Sequence, residues 1–219
     1  SFKPTREFNA DDVLFTLQRQ WTVEHPFHSV TRSKYPYFES LGLPKLLKSI
    51  QKLDDYTVEI VINQPDATFV SSLAMQWAGM QSQEYARAML KAGTPELFDQ
   101  KPIGSGPFQF ESYQAGQEVL FRAFDMYWEG RTKLDRLMFK ITPDASQRWA
   151  KIKDGTCHVM PYPNPSELPE MRQTKGVVVL EQIGVNIGYM AYNTSKKPFN
   201  DVRVRRALNM AIDTRKILR

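Results

Sequence analysis

The segment Met160-Pro-Tyr162-Pro-Asn164-Pro carries side chains that are suited to contact with a ligand. Its prolines hold the backbone extended and remove hydrogen-bond donors, which leaves Tyr162 and Asn164 on a stiff support. Tyr189 and Tyr192 end a later predicted strand, and tyrosine offers apolar area with a polar tip at low entropic cost. We therefore expect Tyr162, Asn164, Tyr189 and Tyr192 to form part of a ligand wall. The alternative is that these tyrosines are half-buried structural residues.

Two histidines near the start of the chain raise the question of a metal site. His25 and His28 are three residues apart, and Glu24 lies beside them. Structural zinc takes four ligands, and catalytic zinc takes three with an open position. Pro26 disrupts a regular helix between the two histidines, and the remaining histidine, His158, is distant in sequence. The sequence therefore predicts no metal site.

The chain lacks a set of residues that would indicate catalysis. The loop Gly104-Ser-Gly-Pro107 has neither the Gly-Lys-Ser/Thr ending of a phosphate-binding loop nor the third glycine of a dinucleotide fingerprint. No Gly-x-Ser-x-Gly elbow is present. The paired carboxylates Asp11-Asp12 and Asp54-Asp55 fall at the starts of predicted elements, where capping explains them. We expect a protein that is not an enzyme and that uses no cofactor.

Cys157 is the one cysteine of the sequence. A single thiol cannot form an internal disulfide, and no second thiol or histidine cluster lies near it for metal or nucleophilic chemistry. Cys157 is therefore either a buried small hydrophobe or one half of a disulfide whose other half lies outside this chain.

The elements that must position these side chains follow from the hydrophobic pattern. Apolar residues at helical spacing after Asn9 or Asp11 predict a helix over 9–21, whereas residues 22–45 show no clear period and are expected to be irregular. Thr142 before Pro143 is expected to cap a helix over 145–153. Other predicted helices cover 67–74 and 84–92 and follow Asn200-Asp201, and predicted strands cover 56–62, 108–113, 118–124, 137–141, 157–160, 177–182 and 185–192.

Helices and strands alternate in this pattern without a strict strand–helix–strand rhythm. A regular rhythm would predict a wholly parallel sheet, so the order observed here favours mixed sheets. The predicted fold class is therefore α/β, with mixed sheets and helices.

The positive charge of the chain is concentrated at one end. The net charge is +5, and residues 196–219 contain eight basic side chains against Asp201 and Asp213. A nucleic-acid-binding protein usually spreads basic residues, interleaved with aromatic ones, over a whole face. We therefore expect a solvated helix face and no nucleic-acid partner. A nucleic-acid-binding module is the alternative from a different functional class.

Both ends of the sequence resemble the middle of a domain. The start has no basic region followed by an apolar one, and the chain has no run of eighteen apolar residues. At the other end, a new cap-like turn begins at Asp213 and the sequence stops soon after it. We expect a fragment of a longer protein, with any signal peptide outside this sequence.

Several stretches, in order along the chain, resemble signature stretches of the peptide-type solute-binding proteins (family 5) of ABC transporters. They are Asn-Ala-Asp-Asp-Val-Leu-Phe-Thr at 9–16, Leu-Asp-Asp-Tyr-Thr-Val at 53–58, Pro-Ile-Gly-Ser-Gly-Pro-Phe at 102–108, Tyr127-Trp128, and the stretch from Tyr192 to Leu208. Residues 91–96, 141–146 and 159–165 are most similar to the dipeptide-binding members, whose close relatives also carry haem.

The resemblance implies part of a two-lobed, type II periplasmic-binding-protein clamshell that buries its ligand between the lobes. Residues 1–100 would form the small subdomain of lobe one, and residues 101–185 would form part of its main sheet. Residues 186–219 would form the hinge crossing and the start of lobe two. The residues that anchor the ligand termini would then lie in the part of lobe two outside this chain.

The same resemblance implies a function and a site. The protein would capture di- or short peptides in the periplasm and deliver them to an inner-membrane ABC permease. Haem or another hydrophobic ligand on the same scaffold is the alternative cargo. Met160, Tyr162, Asn164 and Tyr189 would contact the ligand. Cys157 would pair with a cysteine outside this chain, which suits an oxidising compartment.

Overall fold

The structure is a computed structural model, and it describes residues 2–30, 35–182, 184, 188–213 and 216. Its helices are α1 (Ala10–Trp21), α2 (Pro36–Ser40), α3 (Leu43–Leu46), α4 (Phe69–Ser72), α5 (Gln83–Lys91), α6 (Ala145–Lys153), α7 (Leu168–Gln173) and α8 (Val202–Ala211). Its strands are β1 (Leu47–Asp54), β2 (Thr57–Ile62), β3 (Phe108–Gln114), β4 (Glu118–Ala123) and β5 (Arg136–Lys140). The chain divides into two compact units, residues 1–163 and 164–219.

Helix α1 forms where the sequence predicts it and organises the first part of the first unit. Asn9 is its N-cap: the Asn9 side chain accepts a hydrogen bond from the Asp11 N–H at 3.0 Å. The Asp12 carboxylate accepts from the Asn9 N–H at 3.0 Å, which completes a reciprocal capping arrangement. Phe15 and Leu17 are two positions apart on α1 and are buried in two different apolar clusters.

The two clusters form the core beside α1. The first is mainly aliphatic, whereas the second is rich in aromatic rings, which bury large apolar areas and favour edge-to-face contact. The first consists of Leu17, Phe38, Leu43, Leu46, Leu47, Ile50, Trp77 and Ala78. The second consists of Phe15, Phe27, Tyr85, Ala86 and Phe98. Since α1 contributes to both clusters, it connects the β1–β2 side of this unit with the α5 side.

The predicted turn at Asp54-Asp55 joins β1 to β2, and the two strands form an antiparallel hairpin. The Asp54 side chain accepts from the Tyr56 N–H at 2.8 Å, as expected of an aspartate in a turn. Strand β1 was not predicted, and the expectation that residues 22–45 are wholly irregular is wrong because they contain α2 and part of α3. These helices are too short for a helical period to be visible in the sequence.

Strands β3, β4 and β5 form an antiparallel sheet in that order, and all three agree with the prediction within two residues. Because side chains alternate between the two faces of a strand, one face of this sheet carries Phe110, Phe121 and Phe139. The rings of Phe110 and Phe121 lie 6.0 Å apart, and those of Phe121 and Phe139 lie 5.9 Å apart. This face is therefore aromatic, while the other carries paired charged side chains.

Three predicted strands are wrong where the structure describes them. Residues 157–160, 177–182 and 188–192 have no strand pairing, and residues 185–187 lie outside the described residues. Sequence alternation shows only that a segment could be a strand; a strand also needs a neighbour to hydrogen-bond with. In the described part of the chain these segments pair with no such neighbour. The domain boundaries at 100/101 and 185/186 stay a prediction.

The helices are short, and the longest of them, α1, has twelve residues. A helix needs about 20 mainly apolar residues to cross the hydrocarbon core of a bilayer. Among the residues that the structure describes, no helix meets the length and hydropathy required to span a membrane.

Candidate functional site

The predicted ligand-binding segment follows helix α6. The predicted cap of this helix is wrong: Asp144, not Thr142, is the N-cap, and its carboxylate accepts from the Gln147 N–H at 2.8 Å. An aspartate next to the helix is a better cap than a threonine two residues further away. The Thr142 hydroxyl instead accepts from the Lys151 ammonium at 2.6 Å. The helix ends before Gly155, which has the positive φ of 77° that favours glycine.

Arg148 joins the start of α6 to the segment that carries Tyr162. Its Nη1 donates to the carbonyl oxygens of Thr142 at 2.9 Å and Pro143 at 2.6 Å. Its Nη2 donates to the carbonyl oxygen of Tyr162 at 3.0 Å. One guanidinium therefore holds three backbone carbonyls from two segments. The sequence carried no signal for this contact, because it links residues fourteen positions apart.

Tyr162 has an unusual backbone and an exposed ring. Its φ is +53°, in the left-handed region that residues with a Cβ rarely occupy. It also precedes Pro163, and a residue before proline normally adopts an extended backbone. The side chain is 87% exposed, whereas the nearby Met160 is half-buried. The structure therefore holds a large aromatic ring out in solvent on a constrained backbone.

Asn164 and Tyr189 belong to the second unit. The side-chain Oδ1 of Asn164 accepts from the Ser166 N–H at 3.2 Å and from the Ser166 hydroxyl at 2.9 Å, so Asn164 caps the short helical turn at 165–167. Tyr189 is 84% exposed. Tyr192, by contrast, donates its hydroxyl proton to Asn209 at 2.8 Å and packs on Phe199, which gives it a structural role. The ligand contacts of Met160, Tyr162, Asn164 and Tyr189 stay a prediction.

The first unit also contains an open groove of about 1410 Å³. It lies between the segment at 2–9 and the residues around β3 and β4. Met160 and Tyr162 do not line it. The sequence analysis missed this groove, although the alternation of Phe108 and Phe110 after the glycine loop was a signal for an aromatic wall. Its apolar lining includes Phe2, Phe8, Phe108, Phe110, Phe121 and Trp128.

Two residues that line this groove, Arg6 and Asn9, donate to a buried carboxylate. Asp12 is 2% exposed and accepts from both Nη atoms of Arg6, at 2.7 and 3.0 Å. It also accepts from the backbone N–H of Gln83 at 2.8 Å, in addition to its bond from Asn9. Burial by itself raises the pKa of Asp12, but these donors together hold that pKa below its usual value. Asp12 thus connects three segments as an ionised group.

His25 and His28 have structural contacts. The His25 Nδ1 accepts from the Phe27 N–H at 3.2 Å, and its ring lies edge-on to Phe15. Burial, followed by the positive charge of Arg19, lowers the pKa of His25. The His28 Nδ1 lies 2.8 Å from the Arg19 carbonyl oxygen, within hydrogen-bond distance. Among the described residues, no group of three or more His, Cys, Asp or Glu side chains is arranged to hold a metal ion.

Cys157 is half-buried, and its backbone N–H donates to the Lys151 carbonyl oxygen at 2.9 Å. This bond closes the turn that follows α6. The pairing of Cys157 with a cysteine outside this chain stays a prediction.

The chain matches the family model described as "Bacterial extracellular solute-binding proteins, family 5 Middle" over residues 1–219. It is 49% identical over 218 residues to the dipeptide-binding protein of Escherichia coli (strain K12), covering 100% of this chain and 41% of that protein. It is also 49% identical over 217 residues to heme-binding protein A of Haemophilus influenzae, covering 99% of this chain and 40% of that protein.

A solved structure agrees with this family match. The dipeptide-binding protein from Pseudoalteromonas sp. SM9913 in complex with Met-Leu superposes with a TM-score of 0.91 at 38% identity, covering 99% of this chain and 43% of that chain. The predicted fold class, α/β with helices and sheets and part of a type II periplasmic binding protein, is confirmed. The two sheets of the described residues are antiparallel and not mixed in strand direction. The chain spans about two fifths of the length of these relatives.

Proposed function

Since this chain belongs to family 5 of the bacterial extracellular solute-binding proteins, we propose that it is part of the substrate-binding component of an ABC importer. In this proposal the complete protein captures di- or short peptides and delivers them to a membrane permease. The observation that carries the proposal is the match over the whole chain, at 49% identity, to a protein named for dipeptide binding. The similarity to a structure that holds Met-Leu supports it.

The physical demand on such a protein is to bind many peptides with one site. All peptides share main-chain donors and acceptors, so backbone hydrogen bonds can hold a peptide ligand without recognising its side chains. Side-chain pockets that retain water accept varied groups. The exposed rings of Tyr162 and Tyr189 suit this demand, since each offers apolar area and one hydroxyl.

The proposed role is binding without chemical conversion of the cargo. The relatives named above are binding proteins, and this family is extracellular, so the location is extracytoplasmic. We place the protein more narrowly in the periplasm, where a disulfide of Cys157 would form and persist. The half-buried position of Cys157 is compatible with such a pair.

The test is thermal unfolding of the complete protein with and without ligand. A ligand that binds only the folded state stabilises it by about 2.7 kcal/mol at a hundred times its Kd. We expect Met-Leu and other dipeptides to raise the melting temperature, and free methionine or leucine at equal concentration to leave it unchanged. A melting curve that does not respond to a broad dipeptide panel would contradict the proposal.

Haem is the alternative cargo, and the relative named heme-binding protein A is the observation that favours it. Exposed His158 and half-buried Met160 would be the side chains nearest to such a cargo on the predicted segment. If haem is the cargo, the complete protein with added haem should show an absorbance band that shifts on Met160→Ala or His158→Ala. If peptide is the cargo, the absorbance of added haem should not show saturable binding, and neither substitution should change it.

A further inference from the structure

We propose that Arg148 is a positioning residue, which holds Tyr162 in its left-handed backbone conformation so that the ring is presented to the ligand. The inference rests on the proposed function, because it assigns a specific role within the peptide-binding site. Arg148 does not itself contact the cargo in this proposal. It acts through the carbonyl oxygen of Tyr162, to which its Nη2 donates at 3.0 Å.

On the side away from Tyr162, Arg148 is bound to the backbone that leads into α6. Nη1 donates to two carbonyl oxygens, those of Thr142 and Pro143, and Thr142 is only 8% exposed. Hydrogen bonds from a charged donor are stronger than neutral ones. The guanidinium therefore fixes the Tyr162 carbonyl relative to the start of a helix.

The backbone of Tyr162 needs such a constraint. A residue with a Cβ is disfavoured at a φ of +53°, and the following Pro163 favours an extended conformation instead. Without a donor on its carbonyl, we expect Tyr162 to relax to an extended backbone, which would redirect the ring. An aromatic side chain that is 87% exposed gains no packing from its present direction. A strained, outward-pointing residue of this kind fits a ligand contact.

Arg148 lies near the N-terminus of α6, where a positive charge does not stabilise the helix, so its contacts beyond the helix are the better explanation of its place. Arg148 is the fourth residue of α6, and a cation close to a helix N-terminus is unfavourable for the helix dipole. The planar guanidinium of arginine can donate hydrogen bonds to carbonyls on two sides at once, which the single ammonium group of lysine does less well. The proposal therefore predicts that Arg148→Lys preserves the contacts at 142–143 and loses the one to Tyr162.

The test measures Met-Leu affinity of the complete protein by calorimetry for Arg148→Met, Arg148→Lys and a matched control, Lys151→Met. Lys151 lies on the same helix and holds Thr142, but its bond goes to the Thr142 hydroxyl and not to Tyr162. We expect both Arg148 variants to bind about tenfold more weakly, the effect of a misplaced aromatic anchor. Lys151→Met should lower the melting temperature and keep the affinity within about twofold.

A double-mutant cycle separates positioning from general destabilisation. Tyr162→Gly removes the ring and relieves the backbone strain, so Arg148→Lys should cause no further loss of affinity in that background. Independent losses that multiply would overturn the proposal, as would unchanged affinity in Arg148→Lys. If the wild-type protein binds Met-Leu and the Arg148 variants bind it equally well, only the positioning role fails. If the wild-type protein binds no peptide, the proposed function itself fails.

Discussion

Asp12→Asn replaces the buried carboxylate that joins three segments, and the structure allows its cost to be worked out. Oδ2 accepts from Arg6 and the Asn9 N–H, and Oδ1 accepts from Arg6 and the Gln83 N–H. An asparagine has one carbonyl oxygen, so whichever way its amide turns, its NH₂ faces one backbone N–H and one guanidinium N–H. An N–H without an acceptor costs about 1–3 kcal/mol when buried. With the weakened ion pair, the total is about 2–4 kcal/mol.

The matched control is Asp11→Asn, the same substitution one residue earlier on the same helix. The Asp11 side chain is 36% exposed and pairs with Lys52 at 3.2 Å, so its loss should cost about 1 kcal/mol or less. Denaturant unfolding of the complete protein measures the difference, and hydrogen exchange at the Asn9 and Gln83 amides locates it. If the two variants lose stability to within about 0.5 kcal/mol of each other, the bonding assigned to Asp12 is wrong.

Two further predictions concern the same unit. The pKa of Asp12 lies below its usual value, so its stabilisation is present above the unfolded-state pKa and is lost as the pH falls below about 4 through the folded-state pKa. Asp12→Asn should therefore flatten the stability profile below about pH 4, and an unchanged slope would contradict this sign. The side chain of Arg19 is 4% exposed and donates to Asp99 at 2.9 and 2.8 Å. Arg19→Met should lower the free energy of unfolding by about 2–4 kcal/mol, because it removes the buried cation that pairs with Asp99. Arg131→Met, at a side chain 44% exposed, should lower the stability much less than Arg19→Met, and equal losses in thermal unfolding would argue against the buried role of Arg19.

The elements that the sequence predicts well are those with local causes. A capping side chain and an apolar stripe lie within one or two turns of each other, so α1 and α6 are visible in the sequence itself. The β3–β4 hairpin is likewise local, because alternation and a short turn define both strands. The cap of α6 was mistaken because two candidate caps, Thr142 and Asp144, stand close together.

Strand pairing was less predictable because it depends on distant neighbours. β1 has weak alternation and was missed, and it is a strand because β2 pairs with it. Residues 157–160 and 177–182 have a suitable composition but no pairing partner among the described residues. The contact between Arg148 and Tyr162 has the same character: nothing near Arg148 in sequence indicates that its guanidinium reaches that carbonyl.

The sequence by itself determined the family, the α/β class, most helices, and the placement of tyrosines beside prolines, because motifs, caps and periodicity are properties of neighbouring residues. Only the tertiary structure decided the direction of those side chains. It turned Tyr162 out to solvent on a left-handed backbone, and it bound Tyr192 to Asn209. The physical reason is that a side chain's role depends on which distant donors, acceptors and apolar surfaces the fold brings to it.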